Sequence, residues 1–255
     1  MRAADDAAPL SLAQQHAAAS GHKALMPIGG RPFLDFVLQG LAEAGITDVA
    51  LVVAPQHDEM RAAYPNDRGP ADLRISWLVQ SEPLGTANAV LSARDWAGQD
   101  AFLVMNGDNV YPTPALSALC ALDGPGLAGF DRNDLVATSN IPAERIAAFA
   151  LLERDDHGCL RAIVEKPDAA EVARAGDHAL VSMNLWRFDA RIFEACRDVP
   201  PSPRGELELP AAVMLARSRG VACRIVPARG PVLDLSRRGD VAFVTRRLTG
   251  GVTPQ

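Results

Sequence analysis

Short apolar runs alternate along this chain with longer stretches in which apolar residues recur every three or four positions. The runs at residues 48–54 (DVALVVA), 73–80 (LRISWLVQ), 101–106 (AFLVMN) and 148–152 (AFALL) read as strands, and later ones fall at 179–188, 223–227 and 232–235. Several are apolar at consecutive positions, the pattern of strands buried on both faces. Between them lie helical patterns. Pro32 suits a first helical position, and Phe33, Phe36, Val37, Leu41 and Ala44 follow at helical spacing until Gly45 closes the element. Residues 86–96 repeat the arrangement with Ala87, Val90 and Leu91 on one face, and 207–219 form a third helix. Strand–helix–strand alternation over about the first 120 residues predicts an α/β fold with a doubly wound, mostly parallel sheet of Rossmann-like type. After about Gly124 the pattern becomes richer in strands, as an α+β extension of that sheet would be. Pro200, Pro201 and Pro203 mark a stiff turn, and no internal repeat is visible.

Composition narrows the class. Hydrophobic residues make up 48% and charged residues 22%, ordinary globular usage that excludes disordered, collagenous and coiled-coil chains. No run approaches the ~18 apolar residues of a membrane span. The first twenty residues, MRAADDAAPLSLAQQHAAAS, lack the apolar stretch of a signal peptide. The net charge of −6, from 31 acids and 25 bases, opposes broad nucleic-acid binding but allows a few lysines to hold a phosphorylated ligand. Cys120, Cys159, Cys196 and Cys223 are widely spaced, outside any metal or redox motif. Free thiols in a reducing cytoplasm are expected.

Open α/β sheets bind ligands beyond the carboxyl ends of their strands. The run AFLVMN leads there into Gly107-Asp108-Asn109. A carboxylate past a buried strand, beside a glycine that admits a ligand, suits Mg2+ held jointly with phosphate oxygens. Taken alone, Asn-Gly-Asp is also a common turn. Asp234 ends another apolar run, and two acids on separate strand ends can converge on one metal, although a cap or turn explains Asp234 as well. In Gln80-Ser81-Glu82-Pro83-Leu84-Gly85-Thr86, the Pro and Gly favour a tight loop that opens a helix with free N–H groups. Gln80 carries an amide able to read a nucleobase edge, and Thr86 is equally a plain helix cap. Lys23, ahead of an apolar turn, and Lys166, in Glu165-Lys166-Pro167 after Ile163-Val164, stand where phosphate-binding lysines would stand; solvated surface positions are the alternative.

The order and spacing of KALMPIGGRPFLDFVL, QSEPLGTANAV, VMNGDN, VEKP, MNLWRFD, GELELP and VLDLSRRGDV resemble successive blocks of the sugar-1-phosphate nucleotidyltransferases of the thymidylyl- and uridylyltransferase type. EPLGTA and EKP are the most specific blocks. The resemblance runs from Lys23 to Leu248. It implies one nucleotidyltransferase-like domain over residues 1–255, with a nucleotide-binding half at 1–124 and a sugar-binding half at 125–255. It implies transfer of a nucleotidyl group from a nucleoside triphosphate to a sugar 1-phosphate, with Mg2+ on Asp108 and Asp234. Lys23 would neutralise the nucleotide phosphates and Lys166 would grip the sugar phosphate. Gln80, Gly85 and Thr86 would line the base pocket, and Asn106 and Gly107 would border the substrate beside Asp108. Glu165 and Asn184 would bind sugar hydroxyls. The partners are thus small molecules, with neither nucleic acid nor membrane, and a homo-oligomer is compatible with the pattern.

The family opens with a strand and a glycine-rich loop of the form LAAGxGxRM, whereas residues 1–22 here read like the segment after that loop, with His22 in place of the proline before the lysine. A start about 10–15 residues upstream, the length of one strand and its turn, would restore the loop. The other readings are a homologue that binds a nucleotide sugar, or serves a partner subunit, without turnover, and a metal-dependent glycosyltransferase. The last wants Asp-x-Asp where Asp108-Asn109-Val110 stands. The family's Asp-Ile-Gly-Thr-Pro also becomes Asp234-Leu235-Ser236-Arg237-Arg238.

Overall fold

The computed structural model describes residues 10–19, 22–65 and 69–250. The start of the lead-in, residues 1–9, lies outside the described residues. Twelve strands run β1 (Pro27–Ile28), β2 (Arg31–Pro32), β3 (Asp48–Val53), β4 (Arg74–Val79), β5 (Phe102–Val104), β6 (Asn109–Val110), β7 (Gly126–Asp131), β8 (Leu151–Arg154), β9 (Leu160–Val164), β10 (Leu180–Phe188), β11 (Arg224–Ala228) and β12 (Leu233–Asp234). The α/β class is the one the hydrophobic pattern implies, and the sheet is mixed. β3 and β4 pair in parallel, as do β11 and β7. The long strand β10 runs antiparallel to β5, β7 and β8, and β8 runs antiparallel to β9. Among the described residues no strand joins the β3–β4 pair to the larger sheet.

Helices flank these strands and bury two apolar clusters. In one, Phe33, Val37 and Leu38 of the helix Phe33–Glu43 pack with Leu116 and Leu119 of the helix Thr113–Cys120 and with Phe130 and Val181. In the other, Trp186 and Phe188 of β10 meet Ile192, Phe193 and Cys196 of the helix Arg191–Asp198 and Ala212, Val213 and Ala216 of the helix Leu209–Ser218. β10 thus contributes to both clusters. Two of the four free thiols, Cys196 and Cys223, are buried, and burial pushes each up to about 12.

Several boundaries differ from the sequence pattern. Pro32 precedes the helix as its N-cap in extended conformation rather than opening it. The 86–96 helix breaks into Thr86–Leu91 and Arg94–Ala97, and the Ser92 hydroxyl bonds back to the Asn88 carbonyl at the break. The strand expected at 148–152 begins only at Leu151, since a short helix, Ala143–Ile146, occupies the approach. β7 escapes the pattern because its two glycines dilute the apolar run, yet all six of its residues are buried. A Cβ at Gly126 would stand 2.7 Å from the Arg224 carbonyl oxygen of the parallel neighbour, so the close strand approach requires glycine. Among the described residues no helix is long and apolar enough to cross a membrane.

Candidate active site

The site grows from a two-residue ladder. β6 and β12 pair antiparallel, with Asn109 opposite Asp234 and Val110 opposite Leu233. The Leu235 N–H then donates to the Asp108 carbonyl at 3.0 Å. Asp108 and Asp234, 126 positions apart in the chain, therefore sit on adjoining backbone at this two-stranded ladder. Lys23, from the short 3-10 turn Lys23–Leu25, reaches in and donates from Nζ to Asp108 Oδ2 at 3.0 Å. The expected phosphate lysine and the expected metal acid are thus direct partners.

Asp234 is buried, at 6% exposure, and several groups hold it. Its Oδ1 accepts the Ser236 N–H at 3.0 Å and both Arg145 amino groups, Nη2 at 3.2 Å and Nη1 at 3.3 Å. Its backbone is clamped by Asn140, whose Oδ1 accepts the Asp234 N–H at 2.8 Å and whose Nδ2 donates to the Asp234 carbonyl at 2.7 Å. Below, Asp240 accepts the Ser236 and Arg237 N–H groups at 3.0 and 2.7 Å. Burial, then the nearby Asp234 carboxylate, raises the Asp240 carboxyl above its usual range. Tyr111, following β6, is buried and donates its hydroxyl to the Met183 carbonyl at 2.5 Å, tying this corner to β10. Burial drives its phenol strongly upward, so it stays neutral.

The donor set suits a hard divalent cation. Asp108 Oδ1 and Asp234 Oδ2 accept no hydrogen bond among the described residues, which leaves one carboxylate oxygen from each acid. No described group brings three acids, histidines or cysteines together, so phosphate oxygens and water would complete the shell, as Mg2+ prefers. Gly107 is exposed beside Asp108, and a Cβ added there would meet nothing within 4 Å. The protein leaves that approach open. Asn106 stands next to it, at the end of the segment that follows β5.

The Gln80 loop is built as a rigid edge. Gln80 Nε2 donates to the Gly85 carbonyl at 3.0 Å and to Asn88 Oδ1 at 2.9 Å. Both amide hydrogens are engaged, and Oε1 is left as an acceptor. Gly85 adopts φ +112°, and a Cβ there would stand 2.6 Å from the Leu207 carbonyl oxygen. The loop is stitched to that segment, with Leu207 N–H donating to Leu84 O at 2.6 Å and Ala87 N–H donating to Leu207 O at 2.8 Å. Thr86 Oγ1 accepts the Leu209 N–H at 2.9 Å. Its oxygen therefore serves the start of the helix Leu209–Ser218, with the hydroxyl hydrogen still available to donate.

The expected sugar residues share another property. Lys166 and Asn184 have φ of 47° and 56° and are the non-glycine residues of positive φ among the described residues. That conformation is uncommon for residues with a Cβ, Asn tolerating it better than Lys, and such backbone outliers cluster at ligand sites. Lys166 follows β9, while Asn184 lies where the β10–β7 register shifts between Ser182 and Trp186, which turns an exposed amide out of the strand. Glu165 beside Lys166 is raised above the usual carboxylate range, first by burial and then by the Glu208 carboxylate. Arg204, paired with Glu208 at 2.9 Å, stands close enough to Glu165 to oppose that rise.

The structure thus joins Lys23, Asp108 and Asp234 in one cluster, Gln80, Gly85 and Thr86 in a second, and Glu165 with Lys166 in a third. Arg145 and Asn140 were invisible in the sequence because they lie in an unremarkable segment brought to Asp234 only by folding. Arg204 and Glu208 were legible in principle, since Glu208 lies within the GELELP block and Arg204 immediately precedes it.

A sequence model of the family described as nucleotidyl transferase matches residues 18–225, most of the chain. The chain belongs to the nucleotidyl transferase family. Within this nucleotidyl transferase family it is 32% identical over 244 residues to a glucose-1-phosphate thymidylyltransferase of Streptomyces antibioticus, covering 91% of this chain and 62% of that protein. It is 28% identical over 204 residues to the low-salt glycan biosynthesis nucleotidyltransferase Agl11 of Haloferax volcanii, covering 80% of this chain and 53% of the relative. The chain therefore spans between half and two thirds of the length of these two curated relatives. A solved UDP-glucose pyrophosphorylase complexed with UDP-glucose superimposes with a TM-score of 0.70 at 15% identity, over 90% of this chain and 91% of that one, which shows a shared fold.

Proposed function

We propose that this nucleotidyl transferase family member makes a nucleotide sugar from a nucleoside triphosphate and a sugar 1-phosphate, releasing pyrophosphate. The observation that carries the reading is the β6–β12 ladder, which puts Asp108 and Asp234 side by side with Lys23 on the first of them. In this reaction a phosphate oxygen of the sugar 1-phosphate bonds to the α-phosphorus of the triphosphate. The bond from that phosphorus to the oxygen bridging the β-phosphate breaks, and the leaving group takes the electron pair. No protein nucleophile is needed, so the side chains act by position and charge.

Asp108 and Asp234 would hold Mg2+ through their unengaged oxygens. When bound, that ion neutralises phosphate charge as it builds on the leaving pyrophosphate. Lys23, within reach of Asp108, is placed to share its charge with the triphosphate. Lys166 would orient the sugar phosphate, with Arg204 nearby, and Glu165 and Asn184 would accept and donate to sugar hydroxyls. Gln80 supplies the base preference: with both amide hydrogens committed, Oε1 accepts, which suits the imide N–H of thymine or uracil over an edge that offers only acceptors. Residues 1–124 then serve the nucleotide and 125–255 the sugar within one domain.

The test is a matrix of nucleoside triphosphates against hexose 1-phosphates with Mg2+, scored by pyrophosphate release. Turnover with dTTP or UTP and a hexose 1-phosphate supports the assignment. Nucleotide-sugar binding without turnover in every combination overturns it in favour of a binding or regulatory role.

A further inference from the structure

Arg145 has a place in this site that the metal reading leaves unexplained. It comes from the one-turn helix Ala143–Ile146, in the connection between the helix Arg132–Thr138 and β8, and no sequence block contains it. Its guanidinium spans Asp234 Oδ1 with two contacts at 3.2 and 3.3 Å. It is also the opposing cation for Asp240, whose carboxyl it pulls down while burial and Asp234 push it up. From the elements packed here, Asp234 and Asp240 are the acids facing the guanidinium. Lys23 pairs with the other acid, Asp108. Side-chain exposure is 21% for Arg145 and 9% for Asp234, so the arginine is the wetter partner.

A cation that already saturates one oxygen of a nearly buried carboxylate lowers what a second cation gains from it. Two positive charges a few ångströms apart also repel each other, more strongly than in bulk water. We propose that Arg145 is the resident counter-ion of Asp234: it stabilises that acid in the metal-free protein and competes with the divalent cation that binds there. A divalent cation on the open Oδ2 then meets the guanidinium charge already seated on Oδ1 of the same carboxylate, and the part-exposed arginine can draw back toward solvent as the ion binds. The inference rests on the metal reading of Asp108 and Asp234, and its test separates the two.

The experiment is Mn2+ titration of the intact chain without nucleotide, followed by calorimetry, for the native protein, Arg145→Gln, Arg145→Lys and Asp234→Asn, with thermal melts of each in chelator and in Mn2+. In Arg145→Gln the Mn2+ affinity is expected to rise about tenfold, because one competing charge is gone. Its melting temperature should fall in chelator and recover in Mn2+. Arg145→Lys, which keeps a charge, should stay near the native affinity. Unchanged or weaker Mn2+ binding in Arg145→Gln, with a melting temperature lowered equally with and without metal, would show that the arginine merely braces the fold and would overturn the proposal. Mn2+ binding that is indifferent to Asp234→Asn would overturn the metal reading itself, and this inference with it.

Discussion

Asp108 illustrates how much one residue's neighbours decide. Its side chain meets Lys23 on one oxygen and leaves the other open. Asp108→Asn keeps the shape and the turn but removes the charge that a divalent cation needs, so Mg2+-dependent turnover is expected to fall by about 100-fold or more while the melting profile stays near native. Unaltered turnover, read by pyrophosphate release, would take this acid out of the metal site. Glu165 gives a pH signature of a different kind. Its carboxyl is raised in the folded protein by burial and by Glu208, so the charged form carries a standing penalty that the unfolded chain lacks. For an acid raised in this way, stability is gained as pH falls through the folded value toward the ordinary carboxylate range and is lost as pH rises. Because Glu165 also reaches solvent, Glu165→Gln is expected to be only slightly more stable than the native protein at neutral pH, with the difference closing on acidification. Parallel thermal melts over that range check it; a constant difference would contradict the sign.

Elements decide what isolated residues cannot. The loop around Gly85 and the segment at Leu207 hold each other through two backbone hydrogen bonds and the Thr86 hydroxyl. Gly85→Ala adds a Cβ 2.6 Å from the Leu207 oxygen at a φ of +112°, so steric overlap and backbone strain act together. A loss of more than about 2 kcal/mol is expected in urea unfolding. β12 shows a comparable dependence. Only two residues long, it keeps its place through the Asn140 side chain as well as through its ladder. Asn140→Ala deletes two hydrogen bonds to the Asp234 backbone, and about 2 kcal/mol of stability should go with them. Equilibrium unfolding measures that loss directly, and a value near zero would mean that the ladder alone positions Asp234. The sequence made the Gln80 loop recognisable from its Pro and Gly. It did not reveal that Thr86 starts a helix 123 positions away, because that bond exists only between distant segments.

For the whole molecule, the apolar runs and helical spacings were enough to establish the α/β class, most strands to within a few residues, and the helices that begin at Phe33 and Leu209. These are local properties: side-chain period and turn chemistry act within about ten residues and are written directly into the order of the amino acids. β7 was hidden because its glycines answer to Arg224 and Ile225 on the neighbouring strand rather than to their own neighbours in the chain. The short helix before β8 and the break at Ser92 likewise follow from context beyond the repeat. The acids Asp108 and Asp234 and Lys166 were visible as residue types at strand ends, and Lys23 as a lysine ahead of an apolar turn, and so was the chemistry they suggest. Their pairing was not. That Lys23 meets Asp108, that Arg145 meets Asp234, and that Lys166 and Asn184 stand at positive φ were decided by the tertiary structure alone. Charge pairing, burial and strain depend on distances between segments that are remote in the chain, and only folding sets those distances.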